Sequence, residues 1–562
     1  MKNRLLNPSK LLAHRLVWVL LVVTGLWGCN EPSIIETTTT DVNINGYLEL
    51  NKSEFSLFQE ILERSGNSGF LGAYGAYTVF VPTNEAVTSY LKDKGKASVQ
   101  DFEVEELRKL VRFHVLADTL TTPAFTDGKI AKPTMYGQYL TTGAANTGGV
   151  TRYRINRQAN IIQSNISLGN GIVHVIDKVL EPAALTLAQM VEQDPKYSIF
   201  ARALKETGLY NTLNILPENA TSDSLRWFTL IAESNETLAK KQITSYEQLK
   251  AEYSDSNVGD PKNPQDSLYL YVAYHILPDI KYVADIVTSA SHATLAPLEV
   301  ITTRVEGETV LINADIINGV QEVGSAFDRT NSDYSATNGV LHAAADNFRI
   351  KIRNPVPIYW EPTDQPELRR MTDIFRVPGK SVNFSPGVFK NIEWPNSVIT
   401  YVTTATENNV YNDYFMLNIR PNGFPWIEFT SPLIVKGRYK VWVCYRRVNT
   451  NDFQLSFNGE PLPRLFGLNP TPGYPSGVTI EEAESQGWKQ YTDPKNSNWV
   501  GRLVGTIDVK TTDVHKFRIT ALTNRGGSTG NNFRLDQIHI IPADAPQITP
   551  RFRVDGTPVF TP

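Results

Sequence analysis

The sequence predicts a multidomain chain in which two α+β units of one kind precede an all-β sandwich. Four landmarks in the first third of the chain recur in the same order in the second third. From about residue 370 the texture changes to aromatic-rich alternating segments separated by Gly, Pro and Asn, which is an all-β signature. The chain has 562 residues, 41% of them apolar, enough for three or four packed domains.

The amino terminus reads as an export signal. Lys2, Arg4, Lys10 and Arg15 form a basic region, an apolar stretch runs from Leu16, and small residues precede Cys29. The apolar run of about 11 residues is shorter than the roughly 20 that a spanning helix needs. Leu26-Trp27-Gly28-Cys29 resembles the lipobox of bacterial lipoproteins. The resemblance implies removal of residues 1–28 and lipidation of Cys29, with palmitate-like acyl chains holding the protein on a membrane. Residues 29–41, including Glu36-Thr37-Thr38-Thr39-Thr40-Asp41, then form a short polar tether. Cys444 is the one other cysteine, so no internal disulfide is available and stability rests on the cores. Once the signal is removed, 50 Lys and Arg face 58 Asp and Glu, a net charge of −8 in which nothing points to nucleic acid as a partner.

The repeat is read from its landmarks. Ser56-Leu57-Phe58 through Leu62 to Gly66 matches Ser198-Ile199-Phe200 through Leu204 to Gly208 at an offset of 142. Thr78 to Glu85 matches Thr229 to Glu236 at 151, Leu107, Leu110, Val111 and His114 match Leu268, Tyr271, Val272 and His275 at 161, and Gly171 to His174 matches Gly339 to His342 at 168. The rising offset means longer loops in the second copy. Phe58, Ile61 and Leu62 share one helical face, which Gly66 can end in the left-handed conformation. Tyr77 to Val81 is a short strand stopped by Pro82, after which Thr83 or Asn84 can cap a helix carrying Val87, Tyr90 and Leu91 inward. The spacing of Leu107, Leu110, Val111 and His114 sets the histidine on an apolar helical face, where it reads as a buried core residue.

Thr78-Val79-Phe80-Val81-Pro82-Thr83-Asn84-Glu85-Ala86, Phe113-His114 and Gly171-Ile172-Val173-His174-Val175-Ile176-Asp177-Lys178-Val179-Leu180 together resemble the fasciclin domain. The first copy, residues 42–182, departs from the family pattern only in Phe113, where a tyrosine is usual. The second, residues 185–350, keeps Tyr274-His275 but has Glu233 at the proline position and Ala343-Ala344-Ala345 in its last motif. The resemblance implies a compact β-wedge with helices and a role in adhesion or display on cell surfaces. The motif residues Thr83, Asn84, His114, His174, Asn235, His275 and His342 are read as structural. Ser254 to Ser267, rich in Asp, Asn, Gly and Pro, lacks a full calcium-ligand spacing and reads as a solvated loop.

After a linker at 351–369, residues 370–543 carry the sandwich, with 544–562 as a tail. Tyr439, Val441, Val443 and Tyr445 alternate against Lys440, Trp442, Cys444 and Arg446, and Asn458-Gly459 is a hairpin turn. Phe533 and Leu535 change phase with Ile538 and Ile540, which indicates a bulge. Cys444 reads as an inert buried thiol. Gly437 to Val443 with Asn531 to Ile540 resembles the galactose-binding-like jelly roll of carbohydrate-binding modules. In that family an asparagine before the last strand and nearby aromatic faces hold the sugar, which makes Asn531 and Asn532 with Trp488, Tyr491 and Trp499 the candidates. Aromatic rings pack on sugar C–H faces and amides satisfy hydroxyls leaving water. The same aromatics can equally fill a sandwich core. Asp536 is open to two readings, a structural calcium ligand or a strand-end carboxylate.

No Gly-x-Ser-x-Gly, phosphate loop, His-Glu-x-x-His or cysteine cluster occurs, so no catalytic residue, cofactor or metal is assigned. Three function classes remain. One is a surface adhesin or structural scaffold that binds protein partners. Another is a glycan-binding accessory to an outer-membrane polysaccharide uptake system, with a TonB-dependent transporter and its substrate-binding lipoprotein as partners. The third is a cryptic glycoside hydrolase whose paired carboxylates would converge only in the fold. The implied location is the outer membrane of a Gram-negative bacterium, lipid-anchored and surface-exposed.

Overall fold

The computed structural model describes residues 42–72, 75–147, 150–254, 259–317, 319–446, 451–467, 474–525 and 533–561. The stretches read as lipobox and tether, and Asn531 and Asn532, lie outside the described residues. Two compact units divide the chain: the first holds residues up to 181 except 126–131 and 138–142, which join residues 182–562 in the second.

In the first unit, helix α1 (Lys52–Arg64) buries Phe55, Phe58, Ile61 and Leu62 and is followed by Gly66 at φ +71°. Strand β1 (Tyr77–Pro82) leads into α2 (Asn84–Asp93), where the Thr83 side chain accepts from the Ala86 N–H. Helix α3 (Val104–Phe113) follows. β1 lies antiparallel to β2 (Val115–Leu116) and parallel to β3 (Gly171–Ile176). A Cβ on Gly171 would stand 2.1 Å from the Tyr77 carbonyl oxygen, so only glycine lets the two strands meet there.

The second repeat has the same plan. Its counterparts are α4 (Ser198–Glu206), β4 (Phe228–Glu233), α5 (Asn235–Ala239), α6 (Ser267–Tyr274) and β5 (Gly339–Ala344), with β4 parallel to β5. Gly339 meets Phe228 as Gly171 meets Tyr77, at 2.0 Å for a Cβ. Beyond β5 the sheet continues through residues 325–328, 309–312, 300–306 and 291–293. Asp266, fully buried, caps α6 through the Leu268 N–H and accepts from Ser254.

The third domain is a two-sheet sandwich. One sheet runs Ser381–Phe384, Ile399–Thr403, β7 (Asp413–Leu417), β11 (Phe533–Pro542), β8 (Gly437–Arg446), β10 (Trp499–Val509) and Trp488–Lys489, with β6 (Ile358–Trp360) also on β11. The other holds Ile392–Glu393, Trp426–Thr430, Lys516–Ala521, β9 (Asp452–Phe457) and Glu460–Pro461. Tyr439, Val441, Val443 and Tyr445 of β8 face the core with Phe453, Leu455, Phe517 and Ile519. Asn458 and Gly459, at φ 49° and 90°, form the two-residue hairpin turn between Phe457 and Glu460.

The sandwich exceeds its expected limits at both ends. β6 falls within the stretch read as linker, and the stretch read as tail carries Gln547 and Phe552, both buried, and a hairpin of residues 551–552 with 558–559. The reason lies on the outer face of β8, where Trp442 and Cys444 need cover as completely as the inner face does. Residues 488–499 and the carboxy-terminal segment supply it, with the Trp442 indole N–H donating to Gln547 Oε1 at 2.9 Å.

Candidate functional site

The polar residues of the repeated motifs brace each repeat internally, in matching ways. Asn84 Oδ1 accepts from the Leu57 N–H and its amide donates to the Ser53 carbonyl; Asn235 does the same with Ile199 and Pro195. Thr78 Oγ1 donates to the Asp118 carbonyl and accepts from the Leu120 N–H, as Thr229 does with Asp279 and Lys281. The buried His174 ring lies 2.9 Å from the Leu120 carbonyl through Nε2, and the His342 ring 2.8 Å from that of Lys281. Asn170 and Asn338 complete the pattern, each stapling the start of its repeat: Asn170 accepts from the Ile44 N–H and Asn338 from that of Leu187. Their common offset of 168, one residue before each landmark glycine, was the available signal for them.

The repeats differ at the other landmark histidine, His114 in the first and His275 in the second. His114 Nδ1 meets the Leu110 carbonyl at 2.8 Å and Nε2 accepts from the Leu180 N–H at 3.0 Å, so the ring is neutral, and burial pushes its pKa down to about 4. In the second repeat Glu233, at the position of Pro82, comes between the corresponding groups. Its Oε1 lies 3.0 Å from His275 Nε2 and accepts from the Phe348 N–H, while Oε2 accepts from the Tyr271 hydroxyl and the Asn347 amide. Both His275 and Glu233 are fully buried. Loss of the motif proline is therefore matched by four partners for the carboxylate that replaced it.

In the sandwich, Trp488, Tyr491 and Trp499 are 2, 0 and 0% exposed, so none offers a ring face to a sugar. Tyr491 and Trp499 belong to the layer that covers the outer face of β8, and Trp488 packs with Ala483 and Val500 under the Arg502 guanidinium. Cys444 is buried in the same layer, and burial pushes its thiol pKa up. Among the described residues no group of three or more His, Cys, Asp or Glu side chains is arranged to hold a metal ion.

The bulge lies at Asp536. Cys444 pairs with Gln537 and Tyr445 with Leu535, which leaves Asp536 as the extra residue of β11. Its carboxylate accepts from the Asn409 amide at 2.9 Å and from the Tyr491 hydroxyl. Nearby, Asp413 accepts from the Tyr401 hydroxyl at 2.8 Å and lies 3.6 Å from Arg376, and Glu361 accepts from the Gln537 amide at 3.2 Å. Burial raises the pKa of all three carboxyls, and the charges of Asp536 and Asp413 raise that of Glu361 further. Of the three, Glu361 lines a cavity of about 340 Å³ together with Tyr359, Arg369, Arg376, Tyr411 and Gln537. Tyr411 holds a left-handed φ of 56°, between Asn408 and Asn412 at 53°, with the Arg376 guanidinium 3.4 Å from its ring centroid. Strained residues beside perturbed carboxyls in a cleft mark a ligand-binding candidate.

Residues 53–182 and 195–346 match the fasciclin domain family, together half of the chain, and the chain belongs to that family. It is 25% identical over 315 residues to the pig transforming growth factor-beta-induced protein ig-h3, covering 55% of this chain and 40% of that protein. It is 28% identical over 273 residues to human periostin, covering 48% and 28%. The chain thus spans less than half the length of these curated relatives. Among solved structures, a domain pair of the insect cell adhesion molecule fasciclin I aligns over 52% of this chain and 95% of its own, at 19% identity and a TM-score of 0.23. A family 35 carbohydrate binding module from Clostridium thermocellum aligns over 33% and 98%, at 10% identity and a TM-score of 0.15.

Proposed function

We propose that this chain is a non-catalytic surface protein for adhesion and glycan binding, and that a saccharide is held in the cavity between Tyr359, Arg376 and Tyr411. That cavity is the observation that carries the reading. Its roughly 340 Å³ is at the small end for a ligand pocket. Half-buried tyrosines beside a carboxyl, an amide and two guanidinium groups suit a sugar, whose hydroxyls need planar polar partners and whose C–H faces need rings. The motif side chains of the fasciclin repeats are occupied in holding their own fold, which leaves the sandwich to carry the glycan site.

The test is a glycan array on the chain without residues 1–29, followed by calorimetric titration of hits with Tyr359→Ala and Arg369→Ala. Both variants should lose at least tenfold in affinity; Arg369→Ala should melt near the wild type, whereas Tyr359→Ala, which also gives up ring contacts with His539 and Phe552, should melt lower. If no glycan binds, the scaffold reading, with protein partners, replaces this one.

Attachment through a lipid on Cys29 to the outer membrane is part of the same proposal, supported by the lipobox and by the lack of any described helix long and apolar enough to cross a membrane. Cys29→Ala should release the protein from the membrane pellet. A TonB-dependent transporter and its substrate-binding lipoprotein are the proposed partners of a glycan-binding form, to be sought by co-purification from membranes with the lipid anchor intact.

A further inference from the structure

The two repeats end differently. In the first repeat the exit segment is closed by glutamines that bond its backbone as a neighbouring strand would: the Glu181 N–H donates to Gln158 Oε1 at 2.9 Å and its carbonyl accepts from the Gln158 amide at 3.0 Å. The Ala183 N–H and carbonyl are met in the same manner by Gln138 at 2.9 and 3.1 Å, and Pro182 between them has no N–H. At the offset of 168 the second repeat has Arg349, Ile350 and Lys351 at these positions. Among the described residues none of these three has a backbone hydrogen bond, and the segment forms neither helix nor ladder. Yet Phe348-Arg349-Ile350-Lys351-Ile352-Arg353 alternates cationic and aliphatic residues with the period of a strand.

This open segment lines a cleft of about 990 Å³ together with Lys240, Lys241 and Ile243. Lys240, Lys241, Arg349 and Lys351 outnumber the cleft's carboxylates, Glu252 and Asp346. Lys240 is paired with Asp346 and Arg349 with Glu252, while Lys241 and Lys351 have no carboxylate within ion-pair distance among the described residues. Ile352 and Val323 are 98 and 87% exposed at the cleft's edge.

We propose that this cleft is a docking site for an extended acidic segment of another protein, which adds to Arg349–Ile352 as a strand. The backbone of the guest takes the place that the two glutamines fill in the first repeat. Its acidic side chains meet Lys241 and Lys351, and its apolar side chains, on the alternate face, cover Ile350 and Ile352. Unpaired strand edges with exposed aliphatic residues are where strand addition occurs. The proposal is independent of the saccharide reading, which concerns the sandwich.

The test is fluorescence anisotropy of the chain without residues 1–29 with a labelled hexapeptide of alternating glutamate and isoleucine. Saturable binding is expected, weakening with salt and falling at least tenfold in Lys351→Glu and in Arg349→Pro, which removes an N–H on the side where the guest's ladder forms. The same peptide with alternate backbone amides methylated should lose binding, since it cannot form the ladder. Equal binding of a lysine–isoleucine peptide, or of the methylated peptide, would overturn the proposal. Absence of peptide binding together with binding of polygalacturonate would assign the cleft to an acidic saccharide instead. Circular dichroism melts of the variants separate lost binding from lost folding.

Discussion

His114 and Glu233 show how a single position changes the polar chemistry of one fold. His114 serves one carbonyl and one N–H as a neutral ring, so truncation leaves both without a partner in a dry core. His114→Ala should destabilise the first repeat by about 1 to 3 kcal/mol, measured by chemical denaturation. The ring's folded pKa, about 4, lies below its ordinary value of 6.5, so its contribution is full above pH 6.5 and is lost as pH falls through 4. Native His114 should therefore weaken the first repeat across that window, and a first repeat whose stability is flat from pH 7 to 4 would contradict the neutral assignment. Glu233→Ala is the harsher change, because it strands His275, Tyr271, Asn347 and the Phe348 N–H at once. A loss of about 3 to 5 kcal/mol is expected, as when one partner of a buried pair is removed. Melting of Glu233→Ala at the wild-type temperature would show that water replaces the carboxylate.

At the scale of elements, the readings resting on local rules agree with the structure. The αL glycine after α1, the capped helix after β1, the Asn458-Gly459 turn and the phase change in β11 are each set by a few neighbouring residues. The placement of Trp488, Tyr491 and Trp499 was not legible, because whether an aromatic on a sheet's second face is exposed depends on which distant segment covers it. For Tyr491 and Trp499 part of the cover comes from beyond residue 543, in a stretch too polar and proline-rich to read as packed, and for Trp488 it comes from Ala483 and Val500. The carboxyl cluster was hidden for the same reason: Glu361, Asp413 and Asp536 lie 52 and 123 residues apart in sequence and meet only because β6 and β7 both pair with β11. The bulge directs Asp536 into that cluster, so the element has a measurable electrostatic signature. Carboxyls whose folded pKa is raised favour folding below their unfolded pKa, and that contribution disappears as pH rises through the folded value. The sandwich should therefore lose stability as pH climbs above the ordinary carboxylate range. Asp413→Asn, which keeps the shape and removes one titrating group, should flatten part of that slope in urea titrations between pH 4 and 8. An unchanged slope would mean that other groups set it.

At the scale of the molecule, the second repeat and the sandwich belong to one compact unit, joined by more than the chain between them. The Ser291 hydroxyl bonds the Asp513 carboxylate, Lys436 pairs with Glu299, and Lys390 reaches the Thr288 carbonyl at 3.3 Å. Each contact is weak by itself, since exposed ion pairs contribute only about 0 to 1 kcal/mol. The exit segment is fastened more firmly, because the Arg353 side chain, 8% exposed, pairs with both Asp315 and Glu322. Damage in the repeat should then be felt in the sandwich if the two unfold as one cooperative body. Cys444 makes this measurable, since after Cys29 it is the only cysteine and its thiol is buried in the sandwich, where no reagent reaches it while the sheets are closed. In the chain without residues 1–29, Glu233→Ala is expected to lower the urea concentration at which Cys444 becomes labelled, although residue 233 belongs to the second repeat rather than to the sandwich. The shift should match the loss of helical circular dichroism from the second repeat. If helix signal is lost early while Cys444 labelling keeps its wild-type midpoint, the repeat and the sandwich unfold separately, and the polar contacts between them do not couple the two.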